Sequence, residues 1–283
     1  MLKLENVLNI MKYVEKIVVN EENGVYLRRY YRFRASKHYG GSAVADAVGC
    51  MFNCAYCWSW KANHNLGKGF MMKPIDVVKE LISIARSRGY NFIRISGGEP
   101  TLGFQHLIQV IEAFSRFREI NIVFILETNG LLLGLEKSFV EILKDFRDIM
   151  MLRISLKGCS EEEFERITGI EGSVHTYQIK AVENVIDSGF RLRIAVPISF
   201  CIRESFSMLL ERLSHIDNNT IYMLDPEVIV LYPSVVKRLC LRDLKPWIAI
   251  DPIELKKIMG DEIYELFKKR CRETHYRNTH QIF

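Results

Sequence analysis

Three cysteines within eight residues, Cys50, Cys54 and Cys57 in the run Gly49-Cys50-Met51-Phe52-Asn53-Cys54-Ala55-Tyr56-Cys57, are the most chemically specific feature of the sequence. A loop with this C-x₃-C-x₂-C spacing can wrap three thiolates around one [4Fe–4S] cubane, and no fourth cysteine follows at a comparable distance. One iron would keep an open position, which is what separates a reactive metal site from a closed structural one. Two other readings share the same residues: a zinc ion held by the three cysteines and His64, or three buried, inert thiols. A second motif, Ile95-Ser96-Gly97-Gly98-Glu99-Pro100-Thr101-Leu102, combines paired glycines, which allow close backbone approach to a ligand, with a carboxylate able to accept from an ammonium group. Glu127-Thr128-Asn129-Gly130 and Arg153-Ile154-Ser155-Leu156-Lys157-Gly158 each place polar groups at the end of an apolar run.

Short apolar runs alternating with longer segments of helical spacing are expected to position these motifs. The runs predict strands over Ala43–Val48, Asn91–Ser96, Asn121–Glu127, Ile149–Ser155, Arg191–Ile198 and Glu227–Tyr232. Helices are expected over Pro74–Arg88, Phe104–Phe117, Glu136–Phe146, Glu161–Ile167, Val174–Asp187 and Glu204–His215, with Pro74 in a first turn and Gly89 and Gly189 as stops. Six β/α units in series imply an α/β fold in which the chemical motifs sit at strand C-terminal ends, the active-site edge of a barrel. Strand alternation turns Leu192, Ile194, Val196 and Ile198 to one face and Arg193 to the other, and groups Arg153, Ser155 and Lys157, as well as Arg94 and Ser96. Such basic side chains need water, carboxylates or a ligand, so the lumen is expected to be open and partly polar: a partial (β/α)6, TIM-like barrel. Asp46, Glu127 and Asp225 are available as structural partners for them. The expected organisation is an N-terminal extension over 1–40, a barrel core over 41–240 and a C-terminal helical extension over 241–283.

The cysteine spacing with Tyr56 before the third cysteine resembles the signature of the radical S-adenosylmethionine (SAM) superfamily, and Gly97-Gly98-Glu99-Pro100 is similar to its GGEP segment. The resemblance implies that Cys50, Cys54 and Cys57 ligate a [4Fe–4S] cluster and that SAM chelates the open iron. One-electron cleavage of SAM then yields a 5′-deoxyadenosyl radical that abstracts hydrogen from a substrate. It also implies that Tyr56 packs against the adenine, that Gly97, Gly98, Glu99 and Pro100 bind the methionine amino group, and that Glu127, Thr128, Asn129, Ser155 and Lys157 contact the cofactor or substrate. Over roughly residues 43–239 the motifs resemble most the branch of glycyl-radical-enzyme activases such as the pyruvate formate-lyase activating enzyme. Glu127 and Ser155 replace two aspartates of that branch, and Tyr232-Pro233-Ser234 lacks its histidine, which puts the activase cation site in doubt. The implied partners are a substrate (a protein glycine, an RNA or a small molecule) and an electron donor such as ferredoxin or flavodoxin. The rival class is a non-catalytic metal-binding module that recognises RNA.

Hydrophobic residues make up 48% of the chain and charged residues 26%, which excludes a disordered polymer, and a net charge of +5 permits acidic substrates without demanding nucleic acid. The first twenty residues carry a charge every few positions, unlike a signal peptide or membrane span, so a cytoplasmic protein is expected. In a reducing compartment Cys159, Cys201, Cys240 and Cys271, each isolated in sequence, are expected as free thiols, not disulfides or ligands of a second cluster. The segment Tyr26–Arg34 interleaves basic and aromatic residues, fitting an edge strand with solvated charges or, less simply, an RNA-stacking surface. Asp251–Arg272 reads as a solvated helical extension or lid.

Overall fold

The computed structural model describes residues 1–117, 121–268 and 271. Its strands are β1 Val19–Glu22, β2 Val25–Ser36, β3 Ser42–Ala47, β4 Phe70–Met72, β5 Phe92–Gly97, β6 Val123–Thr128, β7 Met150–Ser155, β8 Arg191–Val196, β9 Leu224–Pro226, β10 Ile248–Ile250 and β11 Lys257–Met259. The helices are α1 Leu4–Val18, α2 Trp60–His64, α3 Pro74–Arg88, α4 Phe104–Ser115, α5 Leu131–Leu135, α6 Ser138–Leu143, α7 Glu161–Thr168, α8 His175–Asp187, α9 Arg203–Ser214, α10 Thr220–Met223 and α11 Pro233–Leu241. One sheet runs β1-β2-β3-β5-β6-β7-β8-β9, with β4 paired to β2 and every neighbouring pair from β3 to β9 parallel. The order ends at β1 and β9 without closing, so the six parallel strands form the partial TIM-like barrel that the periodicity predicts. No helix among the described residues is long and apolar enough to cross a membrane.

Two apolar cores hold the site from opposite sides. The first lies between the sheet and its helices and includes Ala43, Ala45, Ala47, Ile93, Ile95, Phe124, Leu126, Leu152, Ile154, Leu192 and Ile194. These alternate with lumen-facing residues, as a strand period of two requires. The second gathers Val7, Val14 and Val18 of α1, Phe52, Cys54 and Ala55 of the cysteine loop, Val235, Val236 and Leu239 of α11, and Ile258, Ile263 and Phe267 beyond it. Helix α1 and the segment from Ile258 to Phe267 therefore share one core with the cysteine loop.

Several expectations are corrected. Residues 227–232 are not the sixth strand; that strand is β9, and Ile229 and Leu231 are buried in the second core. The helix expected over 136–146 is α6 over Ser138–Leu143, tightening into a 3₁₀ turn over 144–146; it starts two residues late because Glu136 is extended after the short α5, whose Gly134 packs against the backbone of Tyr177. Strand β2 pairs along one side with β1 (residues 25–28) and then β3 (residues 30–36), and on the other side with the short β4 at residues 28–30 alone, so among the described residues its expected edge character holds beyond Tyr30 but not at residues 28–30. Nor is the C-terminal segment a solvated helix from 251 onward: β11 precedes a helix over 261–268 whose Ile263 and Phe267 are buried, and Arg272 lies outside the described residues. Cys159 pairs with Cys201 and Cys240 with Cys271 as disulfides, where free thiols were expected. Cys159 and Cys201 follow the adjacent strands β7 and β8, so the fold brings together residues that the sequence separates by 42 positions.

Two buried histidines make stability pH-dependent. His106 Nδ1–H donates to the Tyr26 carbonyl (2.6 Å), which leaves Nε2 to accept from the Tyr30 hydroxyl (3.0 Å). Burial pushes His106 down to about 3 and His175 down to about 4. Both rings thus stay neutral in the fold while the unfolded chain takes up protons near pH 6.5, so the stability is complete above that pH and is lost as pH falls. Each histidine is expected to contribute a slope of ~1.4 kcal/mol per pH unit between about pH 6 and pH 4. Urea unfolding from pH 7 to pH 4.5 should show this slope, and His106→Asn should reduce it by about one histidine's share; an unchanged slope would contradict the assignment.

Candidate active site

The cysteine loop leaves β3 and is docked immediately onto the turn at 97–100. Gly98 N–H donates to the Ala47 carbonyl (2.8 Å) and Glu99 N–H to the Gly49 carbonyl (2.7 Å). A Cβ on Gly98 would lie 2.1 Å from the Gly49 oxygen, and one on Gly97, at φ +94°, would lie 2.8 Å from the Ala47 nitrogen. The close approach that these glycines permit is thus to the chain's own backbone, where the sequence suggested a ligand.

Glu99 is 2% exposed and collects four donors. Its Oε1 accepts from Thr101 N–H (3.1 Å), Thr101 Oγ1 (2.8 Å) and Thr128 Oγ1 (2.7 Å), and its Oε2 accepts from Asn129 N–H (2.8 Å). Asn129 in turn donates through Nδ2 to Met51 Sδ (3.1 Å) and lies 3.9 Å from Cys50 Sγ. The cysteine triplet, the 97–100 turn and the end of β6 are thereby one hydrogen-bonded assembly. Lysine and tyrosine complete its rim: the Tyr56 ring stacks on Phe200 (centroids 5.6 Å apart), Lys157 Nζ lies 5.9 Å from the Tyr56 centroid, and Lys157 donates to Ser155 Oγ.

Cys50, Cys54 and Cys57 are the free cysteines among the described residues. Burial raises all three thiols, Cys57 to about 11, and Cys50 is raised further by Glu99 and its neighbouring thiols. Lys157 and Arg242 offset this only in part at Cys54. Three neighbouring thiols, Cys54 buried and Cys50 and Cys57 half-buried, become thiolates when a metal supplies the missing positive charge, so the donor set fits an iron–sulfur cluster. The Tyr56 hydroxyl is buried with no hydrogen-bond partner among the described residues, an orphaned polar atom beside the thiols that suits a ligand. His64, the fourth ligand in the zinc reading, stacks on Trp60 (3.9 Å) with Nδ1 bonded to the Trp60 carbonyl (2.9 Å).

Sequence reasoning missed the residues that hold this assembly from outside. Arg28, 1% exposed and lowered to about 10 by burial, donates to the carbonyls of Leu102 (2.9 Å), Val48 (2.7 Å) and Glu99 (3.4 Å). Gln178 on α8 donates to the carbonyls of Asn129 (2.5 Å) and Ser155 (3.1 Å) and accepts from Lys157 N–H (3.0 Å), tying the ends of β6 and β7. From α11, Arg238 donates to the Ala55 and Cys57 carbonyls (3.0 and 2.5 Å), while Arg242 donates to the Asn53 carbonyl (2.6 Å). The only sequence signal for Arg28 was its place in the basic-aromatic segment, and a polar residue on the buried face of α8 was the only signal for Gln178.

The lumen is charged and internally paired, as the available carboxylates suggested. Arg94 binds Glu127 (2.5 Å), whose carboxyl also accepts from the Tyr39 hydroxyl (3.1 Å). Arg153 reaches Asp225 (2.7 Å) and Glu227 (2.8 Å). Burial pushes Glu127 up, but Arg94 and Arg153 outweigh it and hold the carboxyl below its ordinary value. Glu127 is therefore engaged by the lumen's cations, in contrast to Thr128 and Asn129, which reach Glu99.

The model of the radical SAM superfamily matches residues 45–229, the span that holds the cysteine triplet, the 97–100 turn and the lumen strands from β5 to β9. The chain belongs to the radical SAM superfamily. It is therefore an enzyme whose cofactors are a [4Fe–4S] cluster and SAM, and the non-catalytic and zinc readings are set aside. A probable GTP 3′,8-cyclase of Methanococcus aeolicus is 31% identical over 143 residues, covering 50% of this chain and 44% of that protein. A second, of Saccharolobus islandicus, is 24% identical over 234 residues, covering 81% of this chain and 66% of that protein. The chain thus spans between 44% and 66% of the length of these relatives, and their names lend no support to the activase branch. Among solved structures, spore photoproduct lyase complexed with dinucleoside spore photoproduct superposes with a TM-score of 0.56 at 14% identity, over 88% of this chain and 77% of that one. At that identity the likeness bears on the fold alone.

Proposed function

We propose that Cys50, Cys54 and Cys57 hold the cluster, that SAM lies across Tyr56, the 97–100 turn and the ends of β6 and β7, and that hydrogen is taken from a small polar substrate in the lumen. The observation that carries this reading is that the loop holding the three free thiols is bonded to the 97–100 turn and the end of β6, through Glu99 N–H to the Gly49 carbonyl, Asn129 N–H to Glu99 and Asn129 Nδ2 to Met51 Sδ. Bound there, the cluster and SAM together supply the one-electron cleavage that starts radical chemistry. The chain's own residues do the positioning. Glu99 Oε2, with a single donor, keeps an acceptor lone pair for the cofactor's ammonium group, whereas Oε1 is saturated by its three donors. Lys157 presents its ammonium for a carboxylate, Tyr56 offers a ring face and an unpaired hydroxyl, and Phe200 backs the ring. The second core buries Cys54 and packs against Cys50 and Cys57. A reductant such as ferredoxin or flavodoxin would deliver the electron, and a cytoplasmic setting suits that supply. The names of the relatives favour a nucleotide over a protein glycine as substrate, and the charged lumen suits a small polar molecule.

Glu99→Gln tests the cofactor role. The amide replaces one acceptor by a donor, so it weakens a charge-assisted bond to the ammonium and also faces one internal donor wrongly. SAM binding should weaken roughly five- to a hundred-and-fifty-fold, the equivalent of about 1–3 kcal/mol. The melting temperature should fall as well, because the carboxylate joins β5 to β6. Titration of anaerobic protein by SAM, with iron content measured alongside, checks this; unchanged affinity at full iron content would show that Glu99 serves the fold alone.

A further inference from the structure

Beside the cysteine loop, two arginines and a tryptophan form an arrangement that the cofactor site does not use. Trp58 follows Cys57 directly and is 49% exposed. The guanidinium carbons of Arg32 and Arg34 each lie 5.4 Å from its ring centroid. Asp46, fully buried, accepts from the Nε of Arg32 (2.7 Å) and of Arg34 (2.8 Å), and from Arg34 Nη2 at 3.3 Å. It therefore grips the inner ends of both guanidinium groups and leaves their outer N–H groups, both of Arg32 and the Nη1 end of Arg34, without a partner among the described residues. One carboxylate against two guanidiniums also leaves one positive charge unbalanced.

The strand register places this group at the lumen. Arg32 lies opposite Asp46, and Asp46 opposite Ser96, so these side chains share the face that carries Arg94 and Glu127. A buried carboxylate that orients two guanidinium forks beside an exposed ring is a preorganised receptor for a planar ring bearing an anion. A phosphate matches two forks better than a carboxylate does, because it offers three acceptor oxygens and up to two charges. A second ring, Tyr31, lies 5.4 Å from the Arg32 guanidinium carbon with Lys68 5.5 Å from its centroid, but its hydroxyl is engaged by Ser59 (2.9 Å) and Trp58 is the more exposed ring; one such ring beside one gripped arginine pair suits a single nucleotide better than a strand.

We infer that Trp58, Arg32 and Arg34 form a substrate subsite that stacks the base and binds the phosphate of a nucleoside phosphate entering the lumen. This rests on the proposed function and adds to it the residues that would recognise the nucleotide's base and phosphate. The test titrates the anaerobically reconstituted full chain with 5′-GMP, 5′-UMP, guanosine and inorganic phosphate, by calorimetry, and repeats it with Trp58→Leu, Arg32→Gln and Arg34→Gln. A short oligoribonucleotide is included. Iron content and SAM affinity are measured on each protein. The expected result is nucleotide binding at least about tenfold tighter than that of guanosine or phosphate alone, weakened about tenfold or more in each variant while iron and SAM affinity hold. Four outcomes would overturn the inference: no nucleotide binding by wild type that carries cluster and SAM; variants that bind as wild type does; loss of nucleotide, iron and SAM binding together; or an oligoribonucleotide preferred over every mononucleotide. A wild type that never takes up iron would instead overturn the reading on which the inference rests.

Discussion

Cys54→Ala is expected to lower 5′-deoxyadenosine formation by more than about 100-fold, since even partners one shell removed from a metal commonly cost 10–100-fold and this change removes a ligand itself. The fold should survive. Cys54 is buried in the second core, but trimming a thiol to a methyl leaves a small cavity with an expected cost of about 1 kcal/mol, and the barrel core lies elsewhere. The measurement pairs product formation with dithionite and SAM against a thermal melt of the same anaerobic sample. Activity near wild type would remove Cys54 from the cluster. Loss of activity together with unfolding would be read instead as a packing defect, which makes the melt part of the test. Disrupting either of the two disulfides is a useful contrast: Cys159→Ala with Cys201→Ala should leave iron content near wild type, because those four cysteines are engaged with one another.

Gly98→Ala is expected to be nearly as damaging for a different reason. The added methyl would meet the Gly49 carbonyl at 2.1 Å, which is backbone and has no rotamer to yield. Relief requires separating the 97–100 turn from the cysteine loop, at the expense of the bonds from Gly98 N–H and Glu99 N–H. The cost should reach about 3 kcal/mol, the upper end for overpacking. Iron incorporation and SAM binding should fall together, whereas Cys54→Ala should affect the cluster first. Gly67→Ala is the control, because its Cβ would meet nothing closer than 3.8 Å. Iron content in Gly98→Ala equal to that of Gly67→Ala would show that the two motifs do not depend on each other.

The sequence carried the architecture where the chain's local pattern and its tertiary role coincide. Five expected strands agree with β3, β5, β6, β7 and β8 to within two residues, because each is an apolar run whose alternate residues enter the first core. The sixth failed because Leu224-Asp225-Pro226 has no apolar run to announce it, while the run that follows is apolar for the sake of the second core. Locating the motifs needed spacing alone, but their reasons did not follow from spacing: Gly97 and Gly98 accommodate backbone, and Glu127 serves an ion network. Arg28, Gln178, Arg238 and Arg242 act through backbone carbonyls far away in sequence, so no local pattern could mark them. The disulfides were hidden for the same reason, each joining cysteines on segments that only the folded topology makes adjacent.

The most direct test is the electron paramagnetic resonance spectrum of the anaerobically reconstituted, reduced wild-type protein before and after SAM is added, followed by assay for 5′-deoxyadenosine. The expected result is the signal of a reduced [4Fe–4S] cluster whose shape changes on SAM addition, with 5′-deoxyadenosine formed, and loss of the signal in Cys54→Ala. A cluster signal that SAM leaves unaltered, with no 5′-deoxyadenosine formed, or one that persists at full intensity in Cys54→Ala, would contradict the proposed site.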